Sequence, residues 1–76
     1  MTKFWAADLK ISEIRSELRS MLEDADEADN AKDALDYLRG RKAGRYNFVE
    51  LAWHAPQHIQ NAIQEAGRRV LSYPEF

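Results

Sequence analysis

The stretch Ile11-Ser12-Glu13-Ile14-Arg15-Ser16-Glu17-Leu18-Arg19-Ser20-Met21-Leu22-Glu23-Asp24-Ala25 decides how this 76-residue chain is read. Its apolar positions Ile11, Ile14, Leu18, Met21 and Ala25 are spaced 3, 4, 3, 4, which is one stripe along an α-helix. The helix is expected to start at Asp8 or Ser12. Arg15 and Arg19 fall on the solvent side, interleaved with Glu13, Glu17 and Glu23. Glu23, four residues after Arg19, can pair with it.

Downstream the stripe weakens through Ala28 and resumes at Leu35 and Leu38. Residues 23–36 hold seven acids, several of which a straight helix would stack within reach of one another. Two readings compete, a single helix of about thirty residues and two helices broken near 26–30 with Asp29 or Asn30 as the second N-cap, and the acids favour the break. Gly40 is placed as a left-handed C-terminal cap. Arg39, Arg41 and Lys42 suit the negative end of that helix. Residues 40–46 read as the one loop.

Asn47 is an N-cap for a helix beginning at Phe48, with Phe48, Leu51, Ala52 and Ala55 on one face and Trp53 at least half inside. Pro56 ends that helix and opens the next in its first turn. The last helix turns Ile59, Ala62, Ile63, Ala66 and Val70 inward and Gln57, Gln60, Asn61 and Gln64 outward. Pro74 stops it, which leaves 72–76 as a tail. The expected fold is all-α, a small bundle of three or four short helices in a single domain over 1–76, with 1–7 as an N-terminal arm.

A domain this short buries only roughly 60–65% of the surface its unfolded chain exposes. With no cysteine, neither disulfides nor thiolate metal sites can reinforce it. A partner subunit, as in a homodimer, is the stabiliser to expect. The longest apolar runs, such as 4–7, fall far below the ~20 residues that span a bilayer, and no signal-peptide pattern is present. No membrane association and a cytoplasmic location are expected.

The net charge of −2 hides an asymmetry. Residues 1–38 carry −5 and residues 39–76 carry +3. Either the halves attract each other, in the fold or in a dimer, or the basic half faces an anionic partner. The first reading is preferred.

Motifs for chemistry are sparse. Glu50, His54 and His58 would share a face on one continuous helix and could hold zinc, but Pro56 interrupts that helix. Neither a metal nor any other cofactor is expected. Counted as a calcium loop from Asp24, the acids fail at Ala28, at Asp29 where glycine is required and at Leu35 where glutamate is required. No nucleophile motif or phosphate-cradling loop occurs, and so small a chain seldom encloses a substrate pocket. The chain is read as non-enzymatic.

Residues 48–66 resemble a helix-turn-helix in outline. The resemblance implies nucleic-acid binding, with Gln57, Gln60, Asn61 and Gln64 on the base-reading face and Arg41, Lys42, Arg45, Arg68 and Arg69 on phosphates. The chain departs from that pattern with Pro56 in the turn, where glycine is usual, and Gln57 after it, where an apolar residue is usual.

Aromatics supply the last signal. Phe4, Trp5, Tyr73 and Phe76 lie at the termini, and Tyr46 follows Arg45. Exposed aromatics beside cations are what protein-binding hot spots are made of. The preferred expectation is a protein-binding module that modulates another protein through Arg41, Lys42, Arg45, Tyr46 and these terminal aromatics. A nucleic-acid-binding regulator using the 57–64 face is the alternative.

Overall fold

The computed structural model of the chain describes residues 8–72. Strand β1 (Asp8–Lys10) leads into helix α1 (Ile11–Met21), followed by α2 (Ala28–Tyr37), strand β2 (Arg45–Asn47), a single 3-10 turn (Glu50–Ala52) and α3 (Gln57–Ser72). The fold is mostly helical, but the all-α expectation needs correction. β1 and β2 pair antiparallel, with Asp8 opposite Asn47, Leu9 opposite Tyr46 and Lys10 opposite Arg45.

α1 begins at Ile11, where the amide of Lys10 donates to Glu13 Oε1 (3.2 Å) and closes the first turn. Ile11, Ile14, Leu18 and Met21 are buried as the stripe predicts. The helix stops at Met21, so Ala25 lies exposed in the turn and Glu23 falls beyond the helical reach of Arg19. Chain reversal over 22–27 confirms the break, a few residues earlier than expected. Neither Asp29 nor Asn30 caps α2. Glu27 holds that position, and the amide of Ala31 donates to its carbonyl (2.9 Å).

α1 and α2 form an antiparallel hairpin. At the open end Arg15 reaches the carbonyls of Leu38 (2.8 Å) and Arg41 (3.3 Å), and the amide of Ile11 donates to Gly44 (2.9 Å). Gly40 takes φ +90°, the left-handed conformation expected of it. Its successor Arg41 donates its amide back to Leu38 (3.1 Å).

Asn47 caps as expected, but it caps a different element. Its Oδ1 accepts from the amides of Val49 (2.9 Å) and Glu50 (3.1 Å), and one 3-10 turn follows where an α-helix from Phe48 was expected. Phe48, Leu51, Ala52 and Ala55 are still buried. Trp53 is not, at 64% exposure. Pro56 stands immediately before α3, and its carbonyl accepts from Ile59 and Gln60 (both 3.0 Å).

α3 crosses the hairpin. His58 meets Asp33 of α2 (2.9 Å), Asn61, Ala62 and Glu65 lie beside Met21 and Asn30, and Val70 ends beside Ser12 and Ser16 of α1. Ile59, Ala62, Ile63 and Ala66 enter the core, with Val70 half-buried. Gly67 is buried against the Phe48 ring. Ser72, expected as the first residue of the tail, belongs to α3 and donates to the Arg69 carbonyl (2.9 Å). The rest of that tail, with Tyr73 and Phe76, and the arm with Phe4 and Trp5 lie outside the described residues.

Candidate functional site

The antiparallel hairpin brings the start of α1 to the end of α2, and cations from three segments meet there. Arg39, Arg41 and Lys42 lie between α2 and β2, Arg45 opens β2, Lys10 ends β1, and Arg15 and Arg19 lie one turn apart on α1. All but Arg15 are exposed. Lys10 and Arg45 sit directly opposite each other in the ribbon, an arrangement that costs stability. The negative end of the α2 dipole offsets part of this crowding.

The backbone that displays these cations is fixed. Arg15 and the amide of Ile11 tie residues 38–44 to α1. Tyr46 donates its hydroxyl to the Lys42 carbonyl (2.8 Å). Arg41 stacks over the Tyr37 ring, 5.7 Å from its centroid, in a cation–π contact. Leu9 is buried, and its strand partner Tyr46 is half-buried, so the ribbon is anchored by its inner face. Arg39 pairs with Asp36 (3.1 Å). Lys10, Arg19, Lys42 and Arg45 form no ion pair or side-chain hydrogen bond with any described residue.

Of the residues read as protein-binding, Arg41, Lys42, Arg45 and Tyr46 are therefore brought together. Sequence reading did not include Arg15 and Arg19 in this group, because only the hairpin carries α1 beside the loop, and it gave Arg39 only a place at the end of the second helix. Arg15 was expected in solvent and is instead partly buried as a cap on α2. Between α1 and the end of α2, Arg15, Arg19, Leu35, Asp36, Arg39 and Gly40 line an open depression of about 300 Å³.

The glutamine face of α3 is partly used by the fold. Gln60 turns back to donate to the carbonyls of Ala55 (2.8 Å) and Trp53 (3.5 Å), and Gln57 donates to Asn61 (2.9 Å). Gln64 is half-buried. The helix-turn-helix outline is not formed, since one 3-10 turn stands in place of its first helix.

Arg68 is exposed and leans toward Glu65 (3.5 Å), whereas Arg69 is bound into the structure. Its Nε donates to Glu65 (3.1 Å) and its terminal nitrogen to Glu27 (3.3 Å). The hydrogen bond to Glu65 raises its pKa most. Burial opposes this, and the charges of Glu27, Glu65 and Glu17 add to the rise. Glu17, expected in solvent, is buried at 6% exposure.

Glu50, His54 and His58 do not assemble. Among the described residues no group of three or more His, Asp or Glu side chains is placed to hold a metal ion. Trp53 is the exposed large aromatic that sequence reading placed inside. No described helix is long and apolar enough to cross a membrane. No family model matches the chain, and neither does any curated protein or solved structure.

Proposed function

We propose that the chain is a small non-enzymatic protein-binding module that modulates its partner by docking its basic end on an acidic protein surface. The observation that carries this reading is the set of exposed cations, Lys10, Arg19, Lys42 and Arg45, held on a fixed backbone without an internal partner. None of the four forms an ion pair with a described residue, and Lys10 beside Arg45 works against the fold. A preformed charged surface speeds encounter and sets specificity. The surface depressions are open and do not enclose a ligand, which suits docking better than catalysis.

The nucleic-acid reading has less to rest on. Gln60 and Arg69 are occupied within the fold, and Glu65 sits beside Arg68 on the same helix. Asp33 also approaches the face, at His58.

The test is capture from source-cell extract by the wild-type chain and by the triple variant Arg41→Glu, Lys42→Glu, Arg45→Glu, each with and without nuclease. The reading expects one stoichiometric acidic protein that survives nuclease and is lost with the triple variant, whose circular dichroism spectrum shows that the fold is kept. Capture that persists in the variant, or that nuclease abolishes, overturns it.

A further inference from the structure

We infer that the depression between α1 and the end of α2 is a receptor for carboxylate side chains of a short acidic segment in the partner, with Leu35 receiving an adjacent apolar residue. This rests on the protein-binding reading and gives it a site. Three arginines, Arg15, Arg19 and Arg39, line it together with one acidic residue, Asp36, which pairs with Arg39 alone.

Arg15 spends one terminal nitrogen on the Leu38 and Arg41 carbonyls and keeps its other donors. Those two bonds fix its orientation before any ligand arrives. Arg19 has no partner among the described residues, and Arg39 holds Asp36 from an exposed position. Guanidinium pairs carboxylates through two parallel hydrogen bonds, so a preset Arg15 with a free Arg19 one helical turn away suits planar oxyanions.

Leu35 is half-buried and supplies an apolar floor. Gly40 leaves the rim open, since even a Cβ there would touch nothing within 4 Å. The ligand is a short protein segment rather than a nucleic-acid strand because the basic surface here is short. Asp36 lines the depression itself, and beyond α1 the hairpin turn and the start of α2 carry Glu23, Asp24, Asp26 and Asp29. A long polyanion extending past the depression along the hairpin would meet those acids.

The experiment is a nuclear magnetic resonance titration of the full ¹⁵N-labelled chain. The probes are the blocked hexapeptide Glu-Leu-Glu-Glu-Leu-Glu and, separately, a twelve-nucleotide oligothymidine. The peptide is expected to shift the amides of Arg15, Arg19, Leu35, Arg39 and Gly40. Its affinity should fall at least tenfold in the double variant Arg19→Ala, Arg39→Ala and stay unchanged in Lys32→Ala. Both substituted arginines are exposed, and circular dichroism checks that the fold is kept.

Shifts confined to other residues, or equal affinity in the double variant, overturn the assignment. So does oligothymidine binding the same residues more tightly than the peptide. If the peptide result fails while partner capture still depends on Arg41, Lys42 and Arg45, the depression is ruled out and the protein-binding reading stands.

Discussion

Gly67 has no side chain because Phe48 occupies the space where one would be. A Cβ at that position would come within 2.8 Å of Cε2 of the Phe48 ring and closer still to Cγ and Cδ2. Phe48 is buried at 1% exposure, and the atoms met include the base of its ring rather than only a flexible end. Alanine is the better helix former by about 1 kcal/mol, but overpacking a core costs about 1–3 kcal/mol. Gly67→Ala is therefore expected to destabilise the protein by up to about 2 kcal/mol, lowering Tm by about 4–8 °C per kcal/mol in a domain of this size. A thermal melt that rises with the substitution would show that the ring can shift aside. Trp53 teaches the converse lesson. Its size suggested burial, yet the 3-10 turn carries Leu51 and Ala52 inward and leaves the indole outside. Sequence fixes neither case, because both depend on what lies across the core.

The helices were legible where a repeating pattern ran for several turns, and illegible where an element was shorter than its own period. α1 and α3 follow their apolar stripes, and the acids of 23–36 gave the break. The strands did not show, since three residues cannot display an alternation of period two, and β1 pairs with a segment 37 positions away. The 3-10 turn after Asn47 carries the same capping residue as an α-helix would, so its cap was visible and its type was not. The candidate site was legible in the same measure. Arg41, Lys42 and Arg45 stand together in sequence, whereas Arg15 and Arg19 join them only through the hairpin. Arg15 shows how the two elements depend on each other. It satisfies carbonyls at the C-terminal end of α2, where unpaired acceptors and the helix dipole both favour a cation. Arg15→Ala removes a charge-assisted bond from a partly buried place and is expected to cost about 1–2 kcal/mol. Its signature is local. Amide hydrogen exchange should quicken at Leu38, Arg39 and Arg41 well before the core amides of Ile14 and Leu18 respond. Uniform loss of protection would mean that the hairpin opens as one unit.

At the scale of the whole molecule, the charge asymmetry of the sequence becomes two separated poles. The acids at residues 23–29 gather at the hairpin turn, and the cations of 39–45 with Lys10 gather at the open end. α1 alone, eleven residues long, holds the ends about 16 Å apart at 1.5 Å per residue. That exceeds the screening length of about 8 Å at physiological salt. Attraction between the halves is thus carried by a few contacts, chiefly Arg69 to Glu27 with Glu17 nearby and Arg39 to Asp36. The side chains of these paired residues are about a third or more exposed, and such pairs contribute little. Repulsion within each pole acts over shorter distances, as between Lys10 and Arg45. Salt should therefore relieve more repulsion than it weakens attraction. Raising sodium chloride from about 150 to 600 mM, which halves the screening length from about 8 to about 4 Å, is expected to raise Tm by about 1–2 °C, on the order of 0.25 kcal/mol for a domain this size. A melting temperature that falls with salt would mean that attraction between the halves outweighs crowding within them. The basic end would then be held by the fold's own acids, and the free charge on which partner docking depends would be much reduced.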